Sequence, residues 1–205
     1  MKKNLFLFDF DGTITSEELL PQIAKQTDMF QEIEALTDAT IKGIIPFESS
    51  FRLRCKLLQN VEISKVHNIV KNIPRYEAIS KFIKNNKEKC YIITGNIDIW
   101  LKPIIEEFGK EHVYTSTIDP TTWTLTYILD KGKALKKIKE ANPDCKIITI
   151  GDGMGDVAMF RQSDISIAYG ATHSPVESLI KTCNYIISDE KQLARLLKRI
   201  NHDKE

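Results

Sequence analysis

Three short stretches combine acids, hydroxyls and backbone-permissive residues at spacings that serve chemistry better than stability. They are Asp9-Phe10-Asp11-Gly12-Thr13, Thr94-Gly95-Asn96 and Gly151-Asp152-Gly153-Met154-Gly155-Asp156. Carboxylates at i and i+2 of an extended segment project to the same side, so Asp9 and Asp11 can address one site. Asp9, Asp11, Asp152 and Asp156 would repel one another if gathered together. A hard divalent cation resolves that repulsion, and Mg²⁺ takes few carboxylates while keeping several waters. The Thr94 hydroxyl, nearby backbone N–H groups and a lysine then suit a phosphate. Lys131 and Lys133, just ahead of a predicted helix, are the two candidates for that lysine. Taken singly, either lysine fits a solvated side chain, and Thr94-Gly95-Asn96 fits an ordinary strand-to-helix turn. The full set in this order points to metal-assisted phosphate chemistry. A calcium loop lacks its sixth-position glycine and twelfth-position glutamate. A P-loop is absent too, since no Gly-x-x-x-x-Gly-Lys-Ser/Thr occurs.

The elements that must position these groups read as an alternation. Leu5-Phe6-Leu7-Phe8 is a short unbroken apolar run, which fits a strand buried on both faces of a parallel sheet. Ligands bind beyond the carboxyl ends of such strands, where Asp9 and Asp11 fall. Helices are predicted over 17–26, 30–41, 47–58 (after Pro46) and 63–72, with Thr15 or Ser16 as the first N-cap. This block exceeds what a βαβ crossover needs, so residues 15–73 are expected to form an inserted helical cap. From Arg75 the α/β pattern resumes, with strands expected at 90–93, 113–116, 146–150, 165–168 and 185–187. Helices are expected at 76–86, 98–108, 132–141, 157–162, 176–182 and 190–200, the second kinked or restarted at Pro103. Residues 121–129, rich in β-branched and aromatic types, read as a hairpin or flap, and fraying is expected from His202. The expected fold is a Rossmann-like α/β core, doubly wound around a mostly parallel sheet. Residues 1–14 and 74–205 would form this core.

Composition narrows the partners. The 205 residues are 42% hydrophobic and 28% charged, an ordinary globular balance. With 29 basic and 28 acidic residues, net charge +1, nothing calls for nucleic acid or a membrane surface. The basic run from Lys131 to Lys139 reads as a solvated helix face. Cys55, Cys90, Cys145 and Cys183 are widely spaced, as expected of reduced thiols in a cytoplasmic protein. The N-terminal apolar run stops at Asp9, too short for a secretory signal, and no stretch approaches a membrane span.

Together these residues resemble the haloacid dehalogenase-like hydrolases, whose four motifs occur in order along essentially the whole chain. Asp9-Phe10-Asp11-Gly12-Thr13 matches the first motif and Thr94 the second. Lys131 is the better fit to the third, with Lys133 as runner-up, and Gly151 to Asp156 matches the fourth. A cap after the first motif is similar to that of the phosphoserine phosphatase subgroup. That resemblance implies that Asp9 attacks phosphorus and forms an aspartyl-phosphate. Asp11 would act as acid and then base. Asp9, the Asp11 carbonyl and Asp152 would hold Mg²⁺, and Asp156 would orient metal-bound water. Thr94, Gly95, Asn96 and Lys131 would hold the phosphate.

In the cap, Arg54 falls on the arginine that meets a substrate carboxylate, and Glu18 on the acid that meets an amine. Thr94-Gly95-Asn96 departs from the usual Ser-Gly-Gly of that subgroup, and Gly155 stands where asparagine is usual. The expected partner is a small phosphorylated metabolite, with a phosphoserine-like amino-acid phosphate favoured. Phosphotransfer to an alcohol and a non-catalytic phospho-ligand module remain as alternatives. A dehalogenase would have no use for an acid at Asp11.

Overall fold

The computed structural model describes residues 3–202, so most of the segment expected to fray lies outside the described residues. Strand β1 (Lys3–Phe8) occupies the centre of a seven-stranded sheet, between β2 (Cys90–Ile97) and β5 (Cys145–Gly151). Beyond β2 lie β3 (Val113–Asp119) and β4 (Thr124–Tyr127), and beyond β5 lie β6 (Ile165–Tyr169) and β7 (Tyr185–Ile187). Every pairing is parallel except that of β3 with β4. The apolar run of β1 is buried because each face of the sheet has its own core. Phe6 and Phe8 pack with Phe82, Ile92 and Ile148 on one face, while Leu5 and Leu7 pack with Leu135, Ile138 and Ile147 on the other. This period-2 division leaves no polar face.

Between β1 and Pro74 the chain forms four helices: α1 (Leu19–Ala24), α2 (Phe30–Ile41), α3 (Phe47–Leu57) and α4 (Ile63–Asn72). The segments entering and leaving this block pair with each other. Ser16 N–H donates to Pro74 O, Tyr76 N–H donates to Ile14 O, and Thr15 bridges Arg75 antiparallel. That pairing corrects the expected N-cap. Thr15 spends its hydroxyl on the carbonyls of Phe10 and Glu17, and α1 begins only after Glu18.

The remaining helices are α5 (Glu77–Asn85), α6 (Lys102–Phe108), α7 (Lys131–Ala141), α8 (Val157–Phe160), α9 (Glu177–Ile180) and α10 (Glu190–His202). Pro103 sits in the first turn of α6, where it lacks no helical partner; the chain restarts there rather than kinking. Strand β2 runs further than expected and takes in Thr94, Gly95 and Asn96. Its register with β3 shifts between Ile93 and Ile97. Residues 121–129, expected as a hairpin or flap of their own, supply only β4, which pairs antiparallel with β3; Trp123 lies in the turn between them at φ 54°. The Trp123 indole N–H donates to Cys55 O at 3.0 Å, docking the turn on α3. All four cysteines are free. Among the described residues no helix is long and apolar enough to cross a membrane.

Candidate active site

The carboxyl edge of the sheet gathers the acids. Asp9 continues the β1 ladder, its N–H donating to Ile150 O at 2.9 Å, and its side chain is nearly enclosed. Lys131 Nζ lies 2.7 Å from Asp9 Oδ1 and 2.6 Å from Asp156 Oδ1. It is the first residue of α7, where the helix dipole disfavours a cation. Two carboxylates outweigh that local cost. Burial pulls the Lys131 ammonium pKa down, but Asp156 and Asp9 together carry it above its ordinary value. Lys133 is exposed and reaches only Asp130, at 3.9 Å. Both lysines stand within the first turn of α7 rather than ahead of it, because the Asp130 side chain caps the helix by accepting from Lys133 N–H. The run from Lys131 to Lys139 is therefore solvated only after its first member.

Asp156 is fixed on both sides. Its second oxygen accepts the N–H groups of Asp152 at 3.0 Å and Gly153 at 3.1 Å, which wraps the loop after β5 around the carboxylate. Asp152 accepts from the Thr13 hydroxyl at 3.1 Å. Gly12 packs against the Asp152 carboxylate at φ +67°, where a Cβ would collide with it. Oxygens of Asp9, Asp152 and Asp156 lie within 4.8 Å of one another, all on buried residues. Three carboxylates face one lysine here. Burial, reinforced by the neighbouring acids, pushes Asp9 and Asp152 well above the carboxylate range despite Lys131. This uncompensated donor set fits a hard divalent cation.

Asp11 belongs to the same edge. Its carboxylate accepts from Leu19 N–H at 2.7 Å and from Asn96 Nδ2 at 2.5 Å. Burial, with the Glu18 charge next, lifts its pKa to about 7, against the pull of those two hydrogen bonds. Asn96, expected beside the phosphate, thus turns its amide on Asp11. Thr94 and Gly95 line the same cavity, and a Cβ on Gly95 would strike the Phe47 ring.

That cavity, about 420 Å³, is bounded by Asp9, Asp11, Thr94 and Lys131 on the sheet side and by Glu18 and Arg54 opposite. Arg54 is only 5% exposed. Its Nη1 donates to Thr37 Oγ1 at 2.9 Å, its Nε has no partner among the described residues, and burial lowers its pKa. Arg52, two residues earlier, is exposed and paired with Glu48 at 2.8 Å. Glu18 meets His173 Nε2 at 3.0 Å, a hydrogen bond that raises the imidazole pKa. Sequence reasoning missed His173. Its one signal was its place in the loop after β6, at the same sheet edge as the recognised acids.

A parallel sheet whose carboxyl edge holds clustered acids, a buried lysine and a hydroxyl defines an α/β protein built to handle a phosphate. The chain belongs to the haloacid dehalogenase-like hydrolase family, whose pattern matches residues 6–161. It is 29% identical over 213 residues to a phosphoserine phosphatase of Methanocaldococcus jannaschii, covering 97% of this chain and 98% of that one. A phosphoserine phosphatase of Archaeoglobus fulgidus is 24% identical over 183 residues, covering 83% of this chain and 53% of that one. Two solved structures superpose with TM-score 0.80 at 26% identity, each covering 100% of both chains. One is a phospho-aspartyl intermediate analogue of phosphoserine phosphatase, the other a substrate-bound phosphoserine phosphatase complex.

Proposed function

We propose that this chain is a Mg²⁺-dependent phosphomonoester hydrolase, working through an aspartyl-phosphate and favouring a phosphoserine-like amino-acid phosphate. The observation that carries the reading is that clustered buried carboxylates and a buried arginine open onto one cavity. Asp9 is the nucleophile: a carboxylate oxygen bonds to phosphorus while the ester P–O bond breaks. Asp11 gives its proton to the departing alkoxide. It then takes one from the water that attacks phosphorus and frees Asp9. A pKa about 7 keeps both forms of Asp11 available near neutrality.

Lys131, the Thr94 hydroxyl and the Gly95 N–H hold the phosphate oxygens as charge develops. Mg²⁺ held by Asp9, the Asp11 carbonyl and Asp152 would supply the positive charge that offsets repulsion between carboxylate and phosphate. Asp156 fixes Lys131 and the loop carrying Asp152, a more direct role than orienting a metal-bound water. Residues 15–73 act as a cap that excludes bulk water and selects the leaving group.

Arg54 supports the substrate class, since its planar fork suits a carboxylate and its Nε lacks a partner among the described residues. Glu18 would face the ammonium. The phosphoserine phosphatases similar over nearly the whole chain support the same class. The test is a panel of phosphoserine, phosphothreonine, sugar phosphates and nucleotides, with Mg²⁺ and with chelator. The highest kcat/KM should fall on phosphoserine or phosphothreonine, and only with the cation. A sugar phosphate or nucleotide turned over as well would refute the substrate class, and undiminished turnover in chelator would refute the metal.

A further inference from the structure

We propose that Asn96 positions the acid Asp11, its side-chain amide gripping the carboxyl group while anchored on Thr94. The inference rests on the reading above that Asp11 protonates the leaving group. Asn96 is buried, and its Nδ2 lies 2.5 Å from Asp11 Oδ2 and 3.2 Å from Thr94 Oγ1. A primary amide carries two hydrogens in a fixed plane, so one group can serve both acceptors. An ionised Asp11 only accepts, which turns the NH₂ end of Asn96 toward it. The Asn96 backbone N–H also reaches Thr94 Oγ1, at 3.2 Å. Thr94 therefore accepts twice from one residue and keeps its own hydrogen to donate into the site.

The other oxygen of Asp11 is held by Leu19 N–H, at the start of α1. One donor comes from the sheet and one from the helical block, and together they set the plane of the carboxyl group. The strand is shaped for this. The register shift between Ile93 and Ile97 re-aims residue 96. The Ser116 hydroxyl secures that irregularity by donating to Gly95 O at 2.7 Å, while accepting from Leu129 N–H.

A misaligned acid slows the first step, which kcat/KM reports, only for substrates whose leaving group needs a proton; the later attack of water is common to all esters. The experiment compares Asn96→Ala, Asn96→Asp and Asp11→Asn on an alkyl ester, phosphoserine, and on p-nitrophenyl phosphate, with Mg²⁺. General acid catalysis is typically worth ~10²–10⁴-fold. Asn96→Ala should therefore lose at least ~10-fold more kcat/KM on the alkyl ester than on the aryl ester. Asn96→Asp keeps the shape but offers acceptors in place of donors, and should lose at least as much as Asn96→Ala.

Retained p-nitrophenyl phosphate turnover reports that each variant is folded. If either Asn96 variant fails to fold, the other carries the comparison. Equal losses on both esters, beside a leaving-group-dependent Asp11→Asn, would overturn the role of Asn96 and spare that of Asp11. Recovery by Asn96→Asp would assign the residue to packing. Equal losses in Asp11→Asn would remove the acid role, and the inference with it.

Discussion

The sheet side of the cavity and its helical side are held in different ways. On the sheet side Asp156 accepts two backbone N–H groups, Lys131 bridges two carboxylates, and Asp11 is gripped at both oxygens. On the helical side the Arg54 guanidinium donates to Thr37, and its Nε has no partner among the described residues. Glu18 is held by His173, from the loop after β6. The sheet-side groups are thus held by hydrogen bonds to one another and to the backbone. In the proposed function, selection would fall to the buried Arg54 guanidinium, whose Nε has no partner among the described residues. Breaking the first side should stop the reaction on every substrate, and breaking the second should change which substrate is preferred.

The largest expected effect is on the sheet side. Asp9→Asn should abolish turnover of all phosphate esters while the fold survives, because an amide neither attacks phosphorus nor binds a cation strongly. Next, Lys131→Ala should cost ~10²–10³-fold in kcat, the usual loss for one preorganised donor, whereas Lys133→Ala should stay close to wild type. The reverse order would move the phosphate lysine to the exposed residue.

On the helical side, Arg54→Ala should cost about 1.5–3 kcal/mol in kcat/KM, the worth of a charged hydrogen bond. That loss should appear on phosphoserine and nearly vanish on an ester without a carboxylate. Equal losses on both would make Arg54 a support for the helices instead.

The smallest effect is on stability. Asp9, Asp11 and Asp152 have pKa values raised by burial, that of Asp11 from 3.8 to about 7. Their contribution is full below the unfolded pKa and is lost as pH rises through the folded value. Cation-free protein should therefore melt lower at about pH 8 than at about pH 5.5, and Mg²⁺ should raise Tm more at the higher pH. A Tm without pH dependence in chelator would contradict the raised carboxylates.

Much of this contrast was legible in the residues. Acids at the ends of buried apolar strands stand out in the sequence, and the structure brings Asp9, Asp11, Asp152 and Asp156 to one sheet edge around one cavity. Helices α2 and α4 came out at their observed bounds, since apolar spacing governs them. What escaped was set by contacts distant in sequence. Thr94 to Asn96 read as a turn because the pull of β3 on β2 lies in a partner strand. Thr15 read as an N-cap because its pairing with Arg75 spans the whole helical block. His173 escaped because a lone histidine in a loop has no pattern until folding sets it against Glu18, 155 positions away.

The central claim is that Asp9 carries the phosphoryl group, and trapping the intermediate tests it most directly. The protein would be mixed with phosphoserine and Mg²⁺, quenched in acid within the first turnovers, reduced with borohydride and mapped by peptide mass spectrometry. The reduced residue should be Asp9, with labelling absent in Asp9→Asn and when substrate is omitted. Labelling at another carboxylate, or none in a sample shown to be turning over, would contradict the account.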